Sequence, residues 1–282
     1  MYNATFINDN GNTFRFSLDN SVIFDIDPLS ELDVDIGASQ GYNQIGETVD
    51  SLAVMGVERE IRGIILGDAN DKKNQLLRAF APRTHGRLIF NDKYYADCYI
   101  KKAPAIQPQS RDAKFSLMVF CPYPYWSDNN EITQELGTWE KTFSFPVLYD
   151  EHTFGTRTSG SFISVFNHGN APTYYTITFT STADVDGYGI LNVTTDEYIF
   201  FYDLLSPGQT VTMERRGGRI YASKTAGGET VDMIFALEYM SRFYELAVGE
   251  NVIKLIAGDD NELALSAIIV YRDVYTGVYD GM

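Results

Sequence analysis

Phe115-Ser-Leu-Met-Val-Phe-Cys-Pro-Tyr-Pro-Tyr-Trp126 is the stretch on which the reading of this chain turns. Phe115, Leu117, Val119 and Cys121 recur with period two, the spacing that puts alternate side chains of a strand on one face. Pro122 and Pro124 then remove backbone donors, so the ladder cannot continue past Cys121. The spacing predicts a half-buried strand that ends abruptly, leaving Tyr123, Tyr125 and Trp126 as an aromatic cluster suited to a domain junction.

The 282 residues are enough for two domains. Tyr 19, Phe 18 and 23 Gly, set among many Val, Ile and Thr, give short strand-forming runs punctuated by turns. A formal charge of −16 opposes a surface that binds nucleic acid, because phosphate binding depends on clustered Lys and Arg. An acidic surface instead serves solubility, or lines a channel through which DNA slides without sticking. No run of about eighteen apolar residues and no basic leader followed by an apolar core is present, so a soluble, unsecreted chain is expected. Cys98 and Cys121 lack metal-site spacing and read as buried, reduced thiols. Asn3 and Asn192 match the glycosylation pattern but have no secretion signal to give them meaning.

Outward from the opening stretch, the first half alternates strands with one helix. Tyr2 to Ile7 and Thr13 to Leu18 form a hairpin about Asn10-Gly11. Residues 37–50 are too glycine-rich and polar for a core element and read as a mobile loop or an extended arm. Ser51 to Leu66 reads as one long strand. Asp68 as N-cap, Asp71 in the first turn, Leu76, Leu77 and Phe80 on one face, and Pro82 as the stop predict a short helix. Gly86 to Ala103 forms a hairpin turning at Asn91-Asp92, and Pro104 to Gln109 a loop.

Residues 127–140 are acidic and polar and form a linker, dividing the chain into domains 1–135 and 136–282. Beyond it no helix signal recurs. Nine short runs follow, beginning near 161, 174, 190, 197, 210, 218, 231, 251 and 263, with turns at Gly217-Gly218, Gly227-Gly228 and Gly258-Asp259-Asp260. A spacing of about 8–12 residues with such turns predicts a β-sandwich.

Chemical motifs are sparse. His85, His152 and His168 are isolated in sequence and make no metal-like pair. Neither a nucleophile elbow nor a phosphate-binding glycine loop occurs. Asp184 with Asp186, or Asp259, Asp260 and Glu262, supply carboxylates for glycoside cleavage or calcium binding, but 38 acidic residues produce such clusters by chance and the calcium-loop spacing is absent. Turn solvation is the expected role. No catalytic residue, cofactor or metal ligand is assigned.

Several features in order resemble one family. Arg59-Glu-Ile-Arg-Gly-Ile-Ile-Leu-Gly67, the helix after it, Gly86-Arg-Leu-Ile-Phe90, the Cys98 strand and the Cys-Pro-Tyr-Pro-Tyr-Trp close resemble the N-terminal belt domain of siphophage distal tail proteins. Asn167-His-Gly-Asn-Ala-Pro-Thr173, Leu246-Ala-Val-Gly-Glu-Asn-Val-Ile253 and Ala267 to Gly277 resemble that family's galectin-like domain. The resemblance implies a mainly β fold: a β-sandwich or split-barrel-like belt domain with one α-helix, then a galectin-like β-sandwich. It implies a non-enzymatic structural protein of the virion tail tip, or baseplate, made in the host cytoplasm. Its partners would be five further copies in a hexameric ring, the tail tube protein above, a tail-associated lysin or tail fibre protein below, and in some relatives a receptor-binding protein. DNA would cross the acidic lumen unbound, and no membrane contact is implied. Gly37, Gly41, Tyr42, Asn43, Gln44, Ile45 and Gly46 are the candidate ring-closing arm. The alternative is a carbohydrate-binding module of an adhesion device. Sugar stacks on exposed aromatics, whereas Trp139 lies near the linker, leaving Tyr188, Tyr198 and Tyr202 as candidate platforms.

Overall fold

The computed structural model describes residues 2–67, 70–108, 112–137, 139–140, 156–157, 162–216, 218–258 and 261–278. The Asp68 cap, His152, Asp259 and Asp260 lie outside them, as does the side chain of Trp139. Contacts divide the chain into two compact units, Met1–Asn130 with Val274–Met282, and Glu131–Asp273. The end of the chain therefore returns to the first unit, where a linear division at 135/136 puts it in the second.

The first unit contains β1 (Ala4–Asn8), β2 (Thr13–Phe16), β3 (Val22–Asp27), β4 (Val34–Ser39), β5 (Thr48–Val54), β6 (Val57–Ile65), α1 (Asn70–Ala79), β7 (His85–Phe90), β8 (Tyr94–Pro108), β9 (Ala113–Cys121) and β10 (Trp126–Asp128). Its main sheet runs β2-β1-β7-β8-β9-β6-β3, all neighbours antiparallel. β2 and β3 are the two ends of that path, yet only a tight turn separates them, with Val22 N–H donating to the Ser17 carbonyl at 3.0 Å. The sheet must curl to bring its edges together. Phe16 on β2 accordingly lies 5.5 Å from Phe24 on β3 and 5.9 Å from Phe115 on β9, ring centre to ring centre.

Alternation decides which face is inside. Phe115, Leu117, Val119 and Cys121 are all buried, while the residues between them face outward. α1 closes the barrel: Leu76, Ala79 and the following Phe80 are fully buried, and Phe80 stacks on Phe6 at 4.2 Å. A side chain ties the helix end to the first hairpin. Buried Asn8 donates to the Ala79 carbonyl at 3.0 Å and accepts from the amides of Asn10 and Asn12, satisfying an orphan carbonyl of the last turn. Asn91 and Asp92 take φ of 51° and 54°, the paired left-handed conformation of a two-residue hairpin turn.

The expected loop at Pro104 is instead strand. β8 runs to Pro108 because register shifts between Ile100 and Lys102, and between Lys102 and Ala105, place Pro104 in a bulge where no amide is needed. The expected long strand from Ser51 is two strands, broken at Met55-Gly56. A side chain at Gly56 would press on the Phe120 ring, so the chain can turn there only without a Cβ.

Trp126 is fully buried in the first unit's core. Arg59, only 1% exposed, lies over its ring at 4.5 Å and donates through Nη2 to the Pro124 carbonyl at 2.9 Å, while Trp126 Nε1 donates to the Leu29 carbonyl at 3.0 Å. β10 then pairs with β8 and with the returning strand Val274–Tyr275.

The second unit holds β11 (Ile132–Leu136), β12 (Trp139–Glu140), β13 (Thr156–Arg157), β14 (Phe162–Asn167), β15 (Tyr175–Ser181), β16 (Val185–Asn192), β17 (Glu197–Leu205), β18 (Thr210–Arg216), β19 (Arg219–Ala226), β20 (Glu229–Asp232), β21 (Gly249–Ala257) and β22 (Leu265–Tyr271). β23 is the returning Val274–Tyr275 of the first unit. Two antiparallel sheets, β11-β22-β15-β18-β19-β20 and β14-β21-β16-β17, share one core that includes Phe179, Tyr188, Phe201, Leu255 and Ile269. Most of the expected strands are present, with three departures. The expected linker 127–140 contains β11, which pairs with β22, and β16 begins at Val185, ahead of the run expected from Ile190. Val231 to Leu237 is the short edge strand β20 followed by a 3-10 turn at Ile234–Ala236, after which the chain lines the β17 edge, with Glu238 N–H donating to Phe200 and Arg242 N–H to Tyr198.

Two buried asparagines explain the motifs that carry the family resemblance. Asn167 donates to the carbonyls of Ala171 and Leu246 and accepts from Gly169, closing the turn into β15. Asn251, fully buried, accepts from Ala247 at 3.0 Å and donates to Ala247 at 2.8 Å and to Gly249 at 3.2 Å, pinning the Val248-Gly249 turn.

Two stability outcomes follow. Trp126→Ala should cost about 3–5 kcal/mol in urea unfolding, since it empties a fully buried indole site and uncovers Arg59. Asn251→Ala should cost about 2–3 kcal/mol by leaving backbone groups unsatisfied, and a loss below about 0.5 kcal/mol would show that the turn does not depend on that side chain.

Candidate assembly surface

The arm expected over residues 37–50 is a two-stranded antiparallel ribbon, β4 with β5, which forms a sheet of its own. Its register sorts the side chains. Val34 pairs with Val54, Ile36 with Leu52 and Ala38 with Val49, whereas Asp35 pairs with Ala53, Gly37 with Ser51 and Ser39 with Thr48. One face is thus apolar and the other mainly polar. Leu52 and Val49 are three residues apart and would fall on opposite faces of a regular strand; the shift between Gly37 and Ala38 absorbs Asp50 and restores both to the apolar face. On the polar face a Cβ at Gly37 would meet the Ser51 hydroxyl, which would have to turn away.

The tip is held by side chains. Gly41 N–H donates to Gln44 Oε1 at 2.9 Å, Gln44 Nε2 to Thr48 Oγ1 at 2.9 Å and Gln40 Nε2 to the Gln44 carbonyl at 3.1 Å. Asn43 and Gly46 take φ of 62° and 87°, turning the chain between them. Tyr42 and Ile45 project with essentially their whole surface in solvent, 98% and 102% exposed. Gly41, Tyr42, Asn43, Gln44, Ile45 and Gly46 are therefore the tip, and Gly37 lies in the ribbon's shaft.

The residues that sequence reading missed are the apolar ones. Val34, Ile36, Val49, Leu52, Val54 and Met55 are all exposed. A lone two-stranded ribbon is marginal in water, and a contiguous apolar face on one marks a contact surface. The available signal was the alternation of Val34 with Ile36 and of Leu52 with Val54; the Gly-rich tip between them hid their pairing.

The other candidates do not converge. His85 Nδ1 lies 3.2 Å from Asp9, and His168 Nδ1 3.5 Å from Asp273, whose carboxylate also accepts from the His168 amide. Glu262 is 3.4 Å from Lys254, and Asp184 accepts from Asn261 through its carbonyl. Among the described residues no three His, Cys, Asp or Glu side chains gather as a metal site would require. Of the candidate sugar platforms, Tyr188 is a core residue bonded to Asp203 at 3.1 Å, while Tyr202 is 68% exposed and bonded to Glu238 at 3.4 Å. Burial and the Asp203 carboxylate together raise the Tyr188 hydroxyl far above its usual range.

Residues 168–275 match the family described as siphovirus-type tail component, C-terminal domain. No curated protein matches the sequence. Among solved structures, the Dit (gp 19.1) protein of phage SPP1, described as a paradigm of the hub adsorption apparatus in phages infecting Gram-positive hosts, aligns over 96% of this chain and 98% of its own, with a TM-score of 0.64 at 14% identity. A chain of the phage P2 baseplate in its activated, calcium-bound conformation aligns over 96% of this chain and 98% of its own, at 11% identity and a TM-score of 0.46. Residues 168–275 are thus similar to the siphovirus-type tail component C-terminal domain, and the chain as a whole shares the fold of SPP1 Dit.

Proposed function

We propose that this chain is a distal tail hub protein of a siphovirus-type virion, six copies of which close a ring joining the tail tube to the host-adsorption apparatus. The first unit is the ring-forming belt, and the galectin-like sandwich is the mount for tail-tip partners. The tail tube protein docks on one side, and a lysin or fibre protein, with a receptor-binding protein where present, on the other. The observation that carries this reading is the ribbon with one exposed apolar face on a chain with the whole-length fold of SPP1 Dit.

Each ribbon has an apolar face for a neighbouring copy, and a head-to-tail contact of this kind repeats until the rotation closes. The charge fits the same role. Six acidic chains give a lumen that repels phosphate and lets DNA pass without binding it. Nothing in the site residues calls for catalysis, cofactor or metal.

Light scattering with negative-stain imaging tests the reading. Wild-type protein should give six chain masses and a ring with a central hole. Ile36→Asp with Leu52→Asp should give folded single chains, with circular dichroism unchanged. A ring that survives both charges would reject the ribbon as the closing contact, and single chains for the wild type at every concentration would remove the self-assembling belt.

A further inference from the structure

The first unit's core contains a reactive-group cluster that the assembly reading does not use. Tyr99 is paired with Phe120, and continuing that antiparallel register by one residue brings Cys98 on β8 to the position facing Cys121 on β9. Both side chains point into the core, 1% and 0% exposed. Directly opposed residues of antiparallel strands have Cα atoms about 4.5–5.5 Å apart, inside the range a disulfide spans. Arg59 is the third member. Its guanidinium is buried, and its Nε and Nη1 make no hydrogen bond.

The electrostatics separate the two sulfurs. The neighbouring Cys98 thiol, followed by the nearby Arg59 charge, brings the Cys121 thiol down to about 7, although burial and Asp97 oppose this. Cys98 moves the other way: the neighbouring Cys121, burial and Asp97 all raise it, against Arg59. One sulfur is thus favoured as thiolate and nucleophile, and its partner stays protonated beside it.

We propose that Cys98 and Cys121 are a redox pair, in which Cys121 is oxidised first by a small hydroperoxide and Cys98 resolves it to a cross-strand disulfide. The Cys121 thiolate attacks one oxygen of hydrogen peroxide, the O–O bond breaks, and the departing hydroxide takes a proton to become water. Cys98 then attacks the sulfur of the Cys121 sulfenic acid. The S–O bond breaks, the S–S bond forms, and the Cys98 proton leaves with the hydroxyl as a second water. Two thiols lose two electrons and two protons, and one peroxide becomes two waters. The disulfide staples β8 to β9 and removes the negative partner of Arg59, so the guanidinium over Trp126 must readjust. A thiol reductant reverses the change.

The test uses the intact chain in native buffer with hydrogen peroxide, quenched and then unfolded for thiol counting and peptide mass analysis. The two free thiols should fall to none, the mass should drop by about 2 Da, and one peptide pair should link Cys98 to Cys121. Dithiothreitol should restore both thiols. Cys98→Ser should trap a dimedone adduct on Cys121, whereas Cys121→Ser should leave Cys98 unmodified over the same time. Two thiols still titrating after peroxide, a disulfide formed only once the chain is unfolded, or covalent dimers in place of the internal link would overturn the pair. Equal labelling of Cys98 in Cys121→Ser would overturn the assigned order.

Discussion

The packing of Arg59 on Trp126 is the constraint on which the first unit depends. A guanidinium with 1% exposure is costly unless its charge is matched, and here an indole face and the Pro124 carbonyl share the task. Each of those partners is fixed by the same short stretch. Cys121 is the last residue of its strand, so Pro124 lies outside the ladder and its carbonyl accepts from Arg59. The Leu29 carbonyl holds the indole from the other side, which ties the segment before the ribbon to the segment after β9. The curled sheet, the start of the ribbon and the returning C-terminal strand all meet around this one side chain.

Seen this way, the ribbon is the consequence of a well-satisfied barrel. The barrel buries its own apolar face on α1 and within its curl, so nothing in it is left to cover Val34, Ile36, Leu52 or Val54. Buried asparagines play the corresponding part in the second unit, where Asn167 and Asn251 hold turns that hydrophobic packing alone does not specify.

Much of this was legible in the sequence, and the reason is periodicity. The strand ending at Cys121, the Asn91-Asp92 hairpin and most strands of the sandwich follow from alternation and turn residues. What was not legible depends on distant neighbours. Gly56 breaks a strand only because Phe120 occupies the space a side chain would need, and Pro104 is tolerated in β8 only because bulges remove the demand for its amide. Arg59 reads as a solvated charge until Pro124 and Trp126 are seen above it. The arm was placed by its glycines, whereas the surface that gives it meaning lies in the flanking valines, isoleucine and leucine.

In the proposed ring, another copy of the same chain covers the ribbon's apolar face. A photo-crosslinking side chain, benzoylphenylalanine, placed at Leu52 reports what lies against that face. The expected product has twice the chain mass, with a linked peptide from a neighbouring copy's first unit. Reaction confined to the same chain, or no product from protein that has formed rings, would contradict it.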